Sequence, residues 1–295
     1  MTAAGLRISL DSLPRESRGR PDARLVFGAL ALGGIAALAL LVPLLHGPIS
    51  LELSDVVARR FLPPLARTGD DGVFHLLGTD RFGRDLLVRL AFGARVSLAV
   101  GLLAAGCSTA LGVLLGAVAG YRGGATDRAI SSLTDAVLAI PRVPFLLLLV
   151  VLFQPGLLVT VLAIGLTGWM TVARLVRADV RVLRERQFVE AAGALGQRPR
   201  RILLRHILPH ALGPAIISAT LGVGNAIMLE AGLSFLGLGV QPPTPSWGNM
   251  IAAGRDALVT APWVALAPAA MVALVVLACS LLADGLERSR AGRNA

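Results

Sequence analysis

Long apolar runs broken by short polar segments set the plan of this chain. Leu25 to Leu45 carries no Asp, Glu, Lys or Arg and is followed by the breakers of "HGPIS". Val96 to Tyr121 is a second uncharged run, closed by "YRGG". Val143 to Ala173 is a third, too long for one ordinary helix, and "QPG" at 154–156 divides it. Further uncharged runs cover Ala211 to Leu229 and Ala257 to Ala283. A bilayer core of roughly 30 Å is crossed by about 20 helical residues, so these runs are long enough to span. The pattern predicts six spans, at 25–45, 96–121, about 129–153, 157–177, 211–229 and within 257–283. Gly112, Gly116 and Gly120 share one face of the second span, a face that admits a close neighbouring helix.

Composition agrees with lipid as the main solvent: 55% of the 295 residues are hydrophobic, 16% are charged, and the mean hydropathy is +0.73. The charge sets orientation. All 28 basic residues are Arg, and cytoplasmic flanks collect positive charge. Arginines cluster in the N-terminal tail, in the loop after span four and in the C-terminal tail, three segments that fall on one side of a six-span chain. Both termini and the fourth loop are therefore expected in the cytoplasm. The segment between spans one and two is then external; it is also Arg-bearing, but Glu52, Asp55, Asp70, Asp71, Asp80 and Asp85 nearly balance it. The net charge of +10 is explained by anionic lipid headgroups and not by nucleic acid, because the arginines flank apolar spans instead of lying on an aromatic-interleaved soluble face. Cys107 and Cys279 fall inside spans at no metal-ligand spacing, and no metal is expected. The N-terminal run has no small-residue cleavage pattern after it and reads as a retained anchor.

The loop after span four has its own pattern. "RERQFVEAAGALG" is a short helix that stops at Gly196, since glycine enters the left-handed region cheaply. "QRPRRILLRHILP" restarts at Pro199, which fits a first helical turn, with Ile202, Leu203 and Ile207 to one side and arginines to the other. Ala191, Ala192 and Gly193 leave a ridge poor in side chains that another protein's cleft can enclose, and Glu190 adds a charge for orientation.

Three stretches carry a family resemblance. "EAAGALG" followed by "ILPHALGP" resembles the EAA loop of bacterial ABC importer permeases, their docking helix for the ATPase. "GTDRFGRDLLVRLAFGARVSL" at 78–98 is similar to the signature of the dipeptide, oligopeptide and nickel permease group, here Gly78, Thr79, Asp80, Gly83, Arg84 and Asp85. "EAGLSFLGLGVQPPTPSWGNMI" at 230–251 is the third. The resemblance implies an all-α membrane protein with the type I ABC importer permease fold. It divides the chain into a cytoplasmic tail at 1–24, a first span at 25–45, an external loop at 46–92, an ABC-type region at 93–285 and a tail at 286–295. The ABC-type region contains a cytoplasmic coupling loop at 178–210. Partners follow from the same resemblance: a second homologous permease, two ATP-binding subunits and an external solute-binding protein. The sequence has no GxxxxGK[ST] loop, so ATP and Mg are expected in the partner subunits, with no cofactor and no enzyme activity in this chain. Coupling falls to Glu190, Ala191, Ala192, Gly193, Gly196, Leu208 and Pro209.

The solute is expected to be a di- or oligopeptide, with nickel or another small solute as the alternative. A gradient-driven secondary transporter is a further alternative; it predicts inverted repeats and midplane carboxylates, and no such repeat is seen. A membrane hydrolase would need a paired nucleophile and base. Asp135, Arg142, Asn225 and Glu230 are the candidate pathway or gating residues, because intramembrane ionisable groups are expensive. Asp135 and Arg142, seven apart, would share one helical face, as pathway groups or as packing and interface groups. Glu230 is expected at the outer mouth, as an interfacial cap or a substrate contact. His75, His206 and His210 are read as structural. "VQPPTPSWG" is read as a proline-stiffened external turn, with Trp247 as an interfacial anchor or the turn as a contact for the binding protein.

Overall fold

A computed structural model describes residues 23–46, 59–68 and 72–294. The N-terminal tail arginines up to Arg20 and the acidic residues Glu52, Asp55, Asp70 and Asp71 lie outside the described residues. Helix α1 spans Ala23–His46, and a two-stranded antiparallel ribbon follows, β1 (Ala66–Arg67) pairing with β2 (Phe74–His75). Then come α2 (Leu86–Arg122), α3 (Gly124–Leu138), α4 (Arg142–Phe153), α5 (Leu157–Leu166) and α6 (Trp169–Arg184). The short helices α7 (Gln187–Ala194) and α8 (Pro199–Ile202) lead through a π turn at Leu203–Ile207 into α9 (Leu208–Phe235). Helix α10 (Trp247–Gly254) and the long α11 (Trp263–Asn294) complete the chain. Among the described residues, five helical stretches are long and apolar enough to cross a membrane, or six if the bent pair α3–α4 counts as one span.

That pair departs from the sequence reading. The expected span at 129–153 is two helices meeting at 87°. Pro141 is responsible: it has no N–H to continue a helix, and its ring pushes Ile140 out of the helical region. Asp135 and Arg142 therefore stand on different helices and share no face. The next span also breaks, at Thr167 and Gly168. There the Gly168 N–H turns to the Gly165 carbonyl (3.3 Å) and leaves the Ile164 carbonyl to other donors.

Helix α2 begins at Leu86, well ahead of the uncharged run, because its first arginines find partners within the protein. Arg89 pairs with Asp80 at 2.5 Å. Arg95 donates to the Ala39 carbonyl at 2.7 Å and to the Leu40 carbonyl at 3.3 Å on α1. Pro43, inside α1, supplies no N–H to the Ala39 carbonyl four residues back, so the arginine completes a hydrogen bond that the proline removes.

Small residues set the packing. Along α2, a Cβ at Gly112 would lie 2.5 Å from the Val172 Cβ, one at Gly116 would lie 2.5 Å from the Ala173 carbonyl oxygen, and one at Gly120 would lie 2.8 Å from the Arg177 carbonyl oxygen. The glycine face expected from the sequence is the α2–α6 contact. Helix α1 docks on α11 in the same way, with Gly28 against Ala278 and Leu282 and Gly285 against Leu25. One apolar cluster joins α1, the start of α2, α9, α10 and α11 through Ile35, Leu90, Ile227, Trp247 and Val275. Trp247 is fully buried and its indole N–H donates to the Leu90 carbonyl (3.1 Å), so it is a core residue and not an interfacial anchor.

Candidate functional site

Gly78 to Asp85 folds into a tight cap on α2. Thr79 donates through its hydroxyl to the Arg59 carbonyl at 2.5 Å and accepts from the Leu62 N–H at 2.9 Å. One oxygen of the Asp80 carboxylate accepts the backbone N–H groups of Phe82 (2.8 Å) and Arg84 (3.0 Å). Its other oxygen takes the guanidinium groups of Arg84 (2.8 Å) and Arg89 (2.5 Å). Asp85 caps α2 by accepting the Val88 N–H (3.0 Å) and bonds His75 Nδ1 at 2.8 Å. The other ring nitrogen of His75 meets the Thr68 hydroxyl at 2.7 Å, so both nitrogens serve the cap. Gly78 and Gly83 hold φ of +79° and +72°, a region that L side chains rarely adopt. Every signature residue thus has a folding task at the head of α2.

The segment expected to couple forms a platform closed by its own hydrogen bonds. At the end of α7 the Gln197 N–H bonds the Ala192 carbonyl (3.2 Å) and the Gly196 N–H bonds the Gly193 carbonyl (2.9 Å), with Gly196 at φ +75°. This is a Schellman closure, and it needs glycine at that position. Val189 and Ala192 are buried against Val176 and Val180 of α6 and Ile207 and Ala211 of the π turn and α9. Gln197 meets His206 (2.9 Å), and the ring of Phe188 lies 5.7 Å from that of His210. Helix α7 is thereby fixed to both spans it connects.

Glu190, Ala191 and Gly193 face outward, as does Pro209. Ala192 faces inward, and Leu208 packs beside the same core. Sequence reasoning missed Leu195, an apolar side chain 81% exposed at the tip of the platform. Its signal was available: a leucine in the last turn before a terminating glycine has little of its own chain to bury against.

The pathway candidates separate. Arg142 and Asn225 line one cavity of about 280 Å³ between α2, the α5–α6 break and α9, together with Ser108, Thr109, Thr171 and Ser218. Ser108 donates to the Gly165 carbonyl (2.8 Å), and Arg142 Nη2 donates to the Ile164 carbonyl (3.2 Å) that the helix break releases. Asp135 lies elsewhere, paired with Arg174 at 2.5 Å on an exposed surface. Nearby, Asp127 and Arg177 form a two-point ion pair that joins α3 to α6, and Arg177 Nη2 contributes a 2.7 Å contact. Glu230 has no exposed surface: it accepts hydroxyls from Ser97 (3.3 Å) and Ser234 (2.6 Å). Those hydroxyls in turn accept the Trp247 and Val240 N–H groups at 3.1 and 3.2 Å, tying α2 and α9 to the loop before α10.

This arrangement of spans has counterparts. It is similar to a chain of the MetNI methionine ABC transporter in inward-facing conformations, with a TM-score of 0.54, 19% identity, and coverage of 71% of this chain and 95% of that one. At the sequence level the chain is 38% identical to the dipeptide transport system permease protein DppC of Alkalihalophilus pseudofirmus, over 89% of this chain and 83% of the relative. It is 39% identical to the oligopeptide transport system permease protein OppC of Bacillus subtilis over 72% of this chain and 70% of the relative. With the di/tripeptide transport system permease protein DppC of Pseudomonas aeruginosa the identity is 42%, over 76% and 74%. Residues 112–291 match the description "Binding-protein-dependent transport system inner membrane component". The chain belongs to that family, the multi-pass inner-membrane permeases of ABC importers, which are transport components and not catalytic subunits.

Proposed function

We propose that this chain forms half of the translocation path of an ATP-driven importer for di- or oligopeptides, and that the platform from Gln187 to Gly196 receives the motor. The observation that carries the coupling role is the combination of a locked platform and an outward ridge. Val189 and Ala192 anchor α7 to the spans while Glu190, Ala191, Gly193 and Leu195 stay outside. A push on that ridge moves α6 and α9 together, because the buried side chains and the Schellman closure leave α7 little independent freedom. Peptide as cargo is supported by the names of the relatives, which are dipeptide and oligopeptide permeases.

In this reading both termini and the platform are cytoplasmic and the cap before α2 is external. A second homologous permease completes the path, two ATP-binding subunits hold ATP and Mg, and an external binding protein delivers the peptide. The test is uptake of a labelled dipeptide or tripeptide into vesicles carrying the assembled transporter, with and without ATP. Uptake that needs ATP and the binding protein, and that Gly196→Leu abolishes while the permease pair still assembles, is the expected result. Uptake that proceeds without ATP, or that Gly196→Leu leaves untouched, would refute the motor-driven reading.

A further inference from the structure

The cavity beside the α5–α6 break contains a charged group with only part of its hydrogen-bonding capacity in use. Arg142 follows Pro141 at the 87° bend, so the bend itself brings the guanidinium to the cavity wall. Gly168 makes room for it, since a Cβ there would lie 3.0 Å from Arg142 Nη2. Nη2 is satisfied by the Ile164 carbonyl, but Nε is buried with no hydrogen-bond partner among the described residues. No Asp or Glu lines the cavity among the described residues, and its other polar groups are hydroxyls and one amide, from Ser108, Thr109, Thr171, Ser218 and Asn225. A guanidinium set between apolar helices without a carboxylate is an expensive arrangement, and such groups in membrane proteins face pathways or partners. Its planar fork matches a carboxylate, which accepts two N–H groups side by side.

We propose that Arg142 is a carboxylate-receiving group of the path, pairing with a carboxylate of the peptide in transit while Asn225 and Ser218 line the rest of the contact. The inference rests on the peptide-import reading, and it goes further by stating which end of the cargo this half of the path recognises. The amide and hydroxyls surrounding Arg142 suit the peptide backbone, since they donate and accept without adding charge. The interaction is transient by construction: part of the guanidinium stays with the Ile164 carbonyl, so the carboxylate meets a group that is already partly satisfied.

The test reads the electrostatic preference of the cavity directly. In the assembled transporter in nanodiscs, with Cys107→Ala and Cys279→Ala removing the native thiols, Asn225→Cys places one thiol on the cavity wall. Its modification rates are measured with two small methanethiosulfonate reagents, one bearing a sulfonate and one a trimethylammonium, each normalised to a free thiol. A unit charge roughly 8 Å away at an effective dielectric near ~40 shifts a monovalent reagent about fivefold in each direction, so the sulfonate should be favoured by at least about tenfold. Arg142→Gln should bring the ratio close to one, and Arg142→Lys should keep most of it. An N-acetyl dipeptide with a free C-terminal carboxylate should protect the thiol, whereas its C-terminal amide should not.

A ratio near one with Arg142 in place overturns the inference without need of a substitution at Arg142. So does a preference that survives Arg142→Gln, or equal protection by acid and amide. ATP-driven uptake of peptide by the parent complex is measured in parallel. No anion preference with Arg142 in place, alongside intact uptake by the parent complex, refutes the role of Arg142 alone, whereas absent uptake refutes the import reading.

Discussion

Replacing Gly116 by alanine is the sharpest perturbation of the scaffold that carries the platform. The added Cβ would sit 2.5 Å from the Ala173 carbonyl oxygen and 3.1 Å from the Ala173 Cα, both backbone atoms that no rotamer change can move. An ordinary contact begins near ~3.4 Å, so α2 and α6 must separate locally by about 0.9 Å (3.4 − 2.5). Overpacking of this kind typically costs about 1–3 kcal/mol, and rigid backbone on the far side points to the upper half of that range. Alanine also returns up to ~1 kcal/mol through better helix propensity, leaving a net loss of about 1–2 kcal/mol. Gly106 on the same helix is the matched control: its Cβ would meet nothing within 4 Å, so Gly106→Ala should be neutral or stabilising by up to ~1 kcal/mol. Both variants can be compared by SDS-induced unfolding of the permease held in bicelles. The two should differ by about 1–3 kcal/mol with Gly116→Ala the weaker; equal midpoints would refute the close α2–α6 approach.

Other perturbations address single contacts, each read by thermal unfolding in mild detergent. Asp80→Ala removes the carboxylate that Arg84 and Arg89 share and should cost about 3 kcal/mol, because two guanidinium groups lose their buried partner; a change under about 1 kcal/mol would show that water replaces it. Glu230→Ala leaves the Ser97 and Ser234 hydroxyls without their acceptor and should cost about 2–3 kcal/mol, with Glu230→Gln milder because its amide oxygen still accepts. An unchanged midpoint for Glu230→Ala would mean that the loop before α10 is not held there. Trp247→Phe deletes the N–H that serves the Leu90 carbonyl and should cost about 1–2 kcal/mol, and a neutral result would return Trp247 to the surface role that its sequence context indicates.

How much of this was legible in the sequence depends on what each element owes to local chemistry. Gly196 and Pro199 act on their own backbone, so the stop of α7 and the start of α8 could be read directly. The α2–α6 contact was legible as far as a glycine face, but its partner helix was not, because a glycine stripe names no neighbour. The bend at Pro141 was hidden by apolar residues on both sides, which satisfy the composition of a span whether or not the helix is straight. Likewise, the uncharged run placed the start of α2 too late. Arg89 and Arg95 look like interfacial charges in sequence, yet Asp80 holds Arg89 within the fold and the Ala39 carbonyl of α1 holds Arg95 along an exposed helix face. Trp247 misled for a similar reason: a tryptophan that follows a proline-rich turn between spans reads as an interfacial residue, and only the tertiary position of the Leu90 carbonyl brings it into the core. Of the four pathway candidates, Arg142 and Asn225 converge on one cavity through a break at Gly168 that no spacing rule predicts.

The central claim is that the outward ridge of α7 is gripped by an ATP-hydrolysing partner, and site-directed cross-linking tests it most directly. Single cysteines at Ala191, Ala192 and Gly193, in a background without the native thiols, are presented to the assembled transporter with a short bifunctional thiol reagent. Ala191→Cys and Gly193→Cys should link to the ATP-binding subunit, with yields that change when ATP is bound, while Ala192→Cys, whose parent side chain is 5% exposed, should not. Links from position 192 alone, or no link to an ATP-binding subunit from either outward position, would contradict the account.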